Sequence, residues 1–257
     1  CWEGRTRACT TALIKAGIVR VVIAARDPHP RVSGEGVGAL LDAGIEVAED
    51  YLSAETDGLN PGPRMRAENN RPFVRIKTAI SMDGRTAMAD GQSRWITGDE
   101  ARADVQYWRA RSAAIITGVG TVIADDPKLN VRDQRFSNAE PLRVVVDTRG
   151  RTPPEAALFE EQGQIVIASA KGVGSINRAE MWEQQNGPLI DLAMLLETLS
   201  DRGCNEVLVE AGATLNASFF QQGLWDEAIV YMAPCLMGDT ARPLASLGFD
   251  DMDETIS

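Results

Sequence analysis

"AAIITGVGTVIADD", residues 113–126, is an apolar run ending at Thr117, then Gly118-Val119-Gly120-Thr121, then a short stretch of helix-forming residues. "EVLVEAGATLNASFF", residues 206–220, repeats the plan: an apolar run to Glu210, a turn at Gly212, and a helix opening at Ala213-Thr214. Short continuous apolar runs, each followed by a helix, imply strands covered on both faces, and so a largely parallel sheet in an α/β fold. In open sheets of this kind ligands gather at the carboxyl ends of the strands, where both glycine junctions lie. Glycine lets the backbone approach a ligand, and the free amides of a helix start suit phosphate. Either junction alone reads equally as a tight structural turn. Two in one domain favour a dinucleotide or a phosphorylated substrate. Neither is a G-x-G-x-x-G fingerprint, so an ordinary Rossmann site is not expected.

Outward from these junctions, further strands are predicted in "FVRIKTAI" (73–80), "LRVVVD" (142–147), "QIVIAS" (164–169) and "AIVYMA" (228–233). A capping box, Thr97-x-x-Glu100, predicts a helix to about Arg111. Other helices are expected near 189–202 and 213–222, closed by Gly203 and Gly223. Upstream, residues 1–52 alternate helix, strand, helix, strand, as in the tail of a separate α/β domain. "SGEGVG" (33–38) reads there as a structural turn. Residues 53–72, rich in Pro, Gly and polar residues, read as a linker, and 73–257 as the main domain.

A net charge of −11 argues against nucleic acid or an anionic membrane as a partner. It leaves room for a small anion held by local arginines. Four scattered cysteines (Cys1, Cys9, Cys204, Cys235) make no disulfide framework, and the absence of a long apolar run predicts no membrane span. A cytoplasmic location is expected. The single histidine, His29, closes chemistry that needs two.

Arg85, Arg109 and Arg132 each sit at an element end beside the junctions, where a guanidinium fork could hold phosphate or simply be solvated. Trp95 in "SRWITG" could stack on a ring or anchor a helix start. Of Asp125-Asp126, one could brace the loop while the other handles a proton. With no metal-ligand spacing and no nucleophile beside a base, a redox step carried by a nicotinamide cofactor is the simplest use of such a site.

"KTAISMDGRTAMADGQSRWITG", "GVGTVIADDPKLNVR", "RVVVDTRGRTP" and "VEAGATLNASF" together resemble the reductase half of the bifunctional deaminase/reductase family of riboflavin biosynthesis. "CWEGRTRACTTALIKAGIVRVVIAARDPHPRVSGEGV" resembles the end of that family's zinc deaminase half. The resemblance implies a dihydrofolate-reductase-like fold and NADPH-dependent reduction of 5-amino-6-(5-phosphoribosylamino)uracil. Carried over by position, it puts NADPH contacts on Ala79, Trp95, Thr121, Asp125, Thr148 and the run Gly212, Ala213, Thr214, Leu215, Asn216, Ala217, Ser218. Substrate contacts fall on Ser93, Arg109, Leu129, Arg132 and Glu210. Lys77 and Asp125 are the candidates for polarising the substrate and delivering a proton. A homo-oligomer is also implied. Aligning on Gly4-Arg5-Thr6 makes Cys9 one zinc ligand of the intact deaminase and leaves Cys1 beside the position of another. The histidine and glutamate of that site would lie upstream, so no deaminase activity is expected of this stretch.

Three departures from the family pattern stand out. Pro61 and Pro63 fall where the family runs a joining helix, Cys235 stands where a lysine is common, and the sequence stops before the family's last strand. The alternatives left open are a fragment that binds NADPH and substrate without turnover, and a dihydrofolate-reductase-like enzyme acting on a pterin.

Overall fold

The computed structural model describes residues 8–256 except 28, 30, 31, 33, 53–55, 57, 137, 177 and 186. The chain divides between Arg71 and Pro72 into two compact units.

In the first unit, α1 (Cys9–Lys15), β1 (Arg20–Val22), α2 (Glu35–Asp42) and β2 (Glu46–Ala48) follow the expected order, with β1 and β2 pairing in parallel. The stretch read as a linker differs. Residues Pro61–Asn69 form a helix, α3, with proline at its start. Both prolines fall in the first turn, where the backbone N–H has no intrahelical partner to lose, so they admit a helix there. An Arg64–Glu68 ion pair one turn apart supports it, and Asn70 ends it in the left-handed region at φ +53°.

The second unit comprises β3 (Phe73–Ser81), β4 (Arg85–Ala87), α4 (Asp99–Arg111), β5 (Ala114–Gly118), α5 (Val119–Asp125), β6 (Leu142–Val146), β7 (Ile165–Ala170), β8 (Glu180–Gln184), α6 (Leu192–Asp201), β9 (Glu206–Val209), α7 (Ala213–Gln221), β10 (Glu227–Ala233) and β11 (Arg242–Pro243). Seven strands form one sheet in the order β10-β3-β9-β5-β6-β7-β8, and every pairing is parallel. β4 and β11 pair antiparallel as a separate ribbon.

Alternate residues of the strands feed the two faces. Val74, Ile116, Val144, Val166 and Val209 pack under Leu192, Leu195, Leu196 and Leu199 of α6 and Phe219 of α7. On the other face Val145 and Ile167 meet Val119, Val122 and Leu158, while Ile115 and Leu208 meet Leu129. Arg143 is also buried, and its guanidinium donates to the carbonyls of Leu158, Glu161 and Gln162.

The expected capping box is not formed. α4 starts at Asp99 with Gly98 as N-cap and no side-chain cap, while Arg102 takes the Thr97 carbonyl. Asp99 and Glu100 instead lie in the first turn, where negative charge suits the helix dipole.

Candidate active site

Parallel pairing brings the ends of β3, β9, β5 and β6 to one edge of the sheet. Ile76 pairs with Val209, so Lys77 is level with Glu210. The Glu210 amide donates to the Ile116 carbonyl (2.9 Å), and Thr117 Oγ1 donates to the Glu210 carbonyl (2.7 Å). Glu210 is thereby fixed one residue beyond β9, between β3 and β5.

Three charged side chains meet there. Arg109, from α4, donates from Nε to Glu210 Oε1 (2.6 Å) and from Nη2 to Oε2 (3.0 Å). Lys77 Nζ lies 3.7 Å from Oε2. Burial by itself pushes the Glu210 carboxyl up, but Arg109 and then Lys77 outweigh it and hold the carboxyl at about 2. The cluster therefore carries one ionised carboxylate between two cations. The third edge of the Arg109 guanidinium donates to the Asn130 carbonyl (3.0 Å), and Gln106, one turn earlier, accepts from the Arg132 amide (2.7 Å). Helix α4 thus holds the 129–132 loop against the cluster. Three of the five Arg109 donors are committed to protein acceptors. Arg132 remains exposed at the loop's outer side. Leu129 is buried against Ile115 and Leu208, with φ +50°.

A second grouping joins Ser93 to Asp125, with Oγ donating to Oδ1 at 3.0 Å, while the Asp125 carbonyl accepts from Arg94. Its neighbour Asp126 braces the fold instead, accepting from the Ala157 amide (2.8 Å). Trp95 is 68% exposed with the Arg102 guanidinium 4.5 Å above its ring. Arg85 is turned away to the Ala241 carbonyl and belongs to neither group.

The two glycine junctions face each other. A Cβ on Gly212 would stand 3.7 Å from Thr121 Oγ1, and one on Gly118 would stand 3.6 Å from the Leu215 side chain. α7 has glycine as N-cap and no side-chain cap, so its first amides have no side-chain acceptor. Gly120 has open space beside it. Beyond the turn, Asn216 and Ala217 are buried, and Asn216 Nδ2 ties the Ala211 and Leu244 carbonyls together. Their side chains brace the junction from within the fold rather than lining its outer side. Ser218 Oγ donates to Thr214 O within the helix. Thr148 lies just past β6, and its carbonyl accepts from the Ala170 amide.

Tyr231 and Asp104 join the site although the sequence did not single them out. The Tyr231 hydroxyl donates to Asp104 Oδ2 (2.6 Å), which Trp108 Nε1 also reaches (3.1 Å), and Lys77 Nζ lies 5.9 Å from the tyrosine ring. Burial, then the Asp104 acceptor, raises the phenol above its usual range. No motif advertises this: the link runs from the edge strand β10 to a helix far away in the chain.

A cavity of about 640 Å³ lies at the opposite edge, lined by Ala113, Leu142, Gln164 and Cys204 among others. These residues precede or open their strands, so the cavity is remote from the charged cluster. Cys9 is exposed, Cys1 lies outside the described residues, and among the described residues no three His, Cys, Asp or Glu side chains converge on a metal position. Among the same residues no helix is long and apolar enough to cross a membrane.

A parallel sheet with paired glycine junctions and an ionised cluster at its carboxyl edge is the arrangement of an α/β enzyme domain that takes its ligand at that edge. Among solved structures, Acinetobacter baumannii RibD, form 1, matches with a TM-score of 0.90 and 42% identity over 99% of this chain and 72% of that one. The Thermotoga maritima deaminase/reductase matches with a TM-score of 0.85 and 30% identity over 98% of this chain and 70% of that one. The RibD C-terminal domain family matches residues 72–253. The riboflavin biosynthesis protein RibD of Haemophilus influenzae is 41% identical over 256 residues, 95% of this chain and 69% of the relative. The chain belongs to the RibD family and is a reductase of riboflavin biosynthesis.

Proposed function

We propose that the chain reduces 5-amino-6-(5-phosphoribosylamino)uracil with NADPH, converting the ribosyl group to a ribityl chain. The observation that carries this reading is the Lys77–Glu210–Arg109 cluster standing at the same sheet edge as the two facing glycine junctions. The Thermotoga maritima relative is described as a reductase of that compound.

The residues fit the cofactor. The glycine-capped start of α7, with its amides free of side-chain caps, suits a pyrophosphate, and the open side of Gly120 leaves backbone accessible next to it. Ala79, Trp95, Thr121, Asp125, Thr148 and the Gly212–Ser218 turn would hold the dinucleotide, with Asn216 and Ala217 acting as internal braces of that turn. Bound there, NADPH supplies a hydride equivalent.

This chain's own residues supply the rest. Reduction of a ring-opened C1′ imine also needs a proton at nitrogen, and Lys77 is the half-buried ammonium placed to give it. Glu210 holds Lys77 in place, and Arg109 keeps Glu210 ionised, a positioning role in place of phosphate binding. Ser93 and Asp125, already hydrogen-bonded to each other, are the second pair able to meet the substrate or relay a proton. Arg132, exposed on the loop that α4 holds, is the arginine available for the substrate phosphate. A homo-oligomer in the cytoplasm completes the reading.

The test is NADPH absorbance decay with the phosphoribosylaminouracil, beside Lys77→Met, Asp125→Asn and dihydrofolate as substrate. Turnover lost in Lys77→Met and absent with dihydrofolate is the expected result. Turnover with dihydrofolate alone would replace the substrate, and NADPH binding without turnover would mark a binding-competent but inactive chain.

A further inference from the structure

The sheet face that carries Lys77 and Glu210 also carries an aromatic ring. Alternate residues of a strand share a face, and in the parallel pairing of β3 with β10 Lys77 is level with Ile229 and Ala79 with Tyr231. Ile229 and Trp108 of α4 both pack against Leu208 and Leu129. Tyr231, two residues beyond Ile229, therefore lies on the face that α4 covers. Its neighbour on β3, Ala79, has only a methyl group to set beside it, and the tyrosine is half-buried.

The ring is held from its far end. Its hydroxyl donates to Asp104 Oδ2 (2.6 Å), an oxygen that Trp108 Nε1 also reaches (3.1 Å). Asp104 and Trp108 stand one turn apart on α4, and the next residue, Arg109, grips Glu210. One helix thus fixes the phenol and the carboxylate together. The Lys77 ammonium lies over the ring, 5.9 Å from its centre. Burial, then the Asp104 acceptor, raises the phenol pKa, so the ring stays neutral at ordinary pH. Left alone, a tyrosine on an edge strand would keep its hydroxyl in water. Here the hydroxyl is committed to a carboxylate, which sets the ring before any ligand arrives.

We propose that Tyr231 is a specificity-determining residue of the reduction, its ring stacking on the pyrimidine of the substrate, and that Asp104 is the positioning residue that sets the ring. The inference rests on the substrate reading above. The nitrogen that Lys77 protonates is bonded directly to the pyrimidine. A hydrogen bond plus half a ring puts the pyrimidine centre within about 6 Å of Lys77 Nζ, the range at which the Tyr231 ring stands. Stacking asks only for a flat π-face, and it adds recognition of the base without further donors or acceptors. Base and phosphate are then read by separate elements, Tyr231 on β10 and Arg132 on the loop that α4 holds.

The experiment is steady-state kinetics of the purified chain with the phosphoribosylaminouracil and NADPH, beside Tyr231→Leu, Tyr231→Phe and Asp104→Asn. Ribose 5-phosphate, which lacks the pyrimidine, serves as a competitor, and circular dichroism melts verify folding. Tyr231→Leu is expected to raise KM for the pyrimidine substrate about 5- to 100-fold, the range of one lost aromatic–base stack. The NADPH KM and inhibition by ribose 5-phosphate should hold within about twofold, and kcat should change less than KM. Tyr231→Phe, which keeps the ring but not its anchor, and Asp104→Asn, which loosens that anchor, should each raise KM by less. An unchanged pyrimidine KM in Tyr231→Leu, or a loss shared equally by NADPH or ribose 5-phosphate, overturns the assignment and leaves the reductase reading standing. If Tyr231→Leu does not fold, an unchanged pyrimidine KM in both Tyr231→Phe and Asp104→Asn overturns it instead. A parent that does not turn over this substrate removes the substrate reading and the assignment together.

Discussion

Arg109 grips both carboxylate oxygens of Glu210 across 101 residues of sequence, at 2.6 and 3.0 Å, with each side chain only 11% exposed. Taking one partner away leaves an uncompensated charge in the interior, which costs about 3–5 kcal/mol. Glu210→Gln should therefore lose stability of that order in urea unfolding, with turnover lost as well. Arg109→Lys, which keeps the charge but not the fork, should lose less stability. Equal stability of parent and Glu210→Gln would dissolve the pairing.

The same pair sets a pH dependence. Glu210 titrates near 2 in the folded chain, below the ordinary glutamate value of about 4.3 in the unfolded one. A lowered folded pKa contributes stability that is full above the unfolded value and is lost as pH falls toward the folded one. Unfolding free energy should drop between about pH 5 and 2, and Glu210→Gln should show a shallower drop over that window. Parallel acid profiles would remove Glu210 as the source.

Lys77→Met should lower kcat by about 100- to 10,000-fold, the range of a lost proton donor, with NADPH affinity within a few-fold of the parent. Circular dichroism melts separate this from a folding defect: the variant should melt near the parent while single-turnover oxidation of NADPH is lost.

Gly150→Ala meets two obstacles at once, a left-handed backbone and a Val173 methyl in the space its side chain needs. A destabilisation of about 1–3 kcal/mol is expected, measured by urea unfolding. Gly120→Ala, with open space around it and no left-handed φ, should change stability by much less.

Arg143→Met removes a buried guanidinium and strands the carbonyls of Leu158, Glu161 and Gln162. Each unmet acceptor costs about 1–3 kcal/mol, so the substitution should rank among the more damaging in the domain despite lying far from Glu210. Unchanged unfolding would mean water replaces the guanidinium freely.

The strands with continuous apolar runs were legible because their burial on both faces leaves little else for Val, Ile and Leu to do. β8 escaped because Glu180, Glu183 and Gln184 give it the look of a polar loop; as the sheet's edge it half-covers Met181 and Trp182 and buries only Gln184. The helix α3 escaped because proline was weighed without its position in the turn. At the site, the glycine junctions and Glu210 could be read from local pattern, whereas the fate of Arg109 could not. Its partner is set by the pairing of β3, β9 and β5, which no local spacing encodes. Tyr231 and Asp104 were hidden for the same reason.

Strand β9 lies between β3 and β5 in space yet follows β5, β6, β7 and β8 in the chain. A chain emerging during synthesis must therefore hold a gap open at the middle of its sheet until residues past 200 arrive. Glu210 rides on that late strand, so the charged cluster comes into being with the last central pairing and not before. Sequence-distant closure of this kind slows folding. It also makes the site a report on completion: a partly made or locally opened domain has Lys77 and Arg109 present but nothing between them to bring them to account.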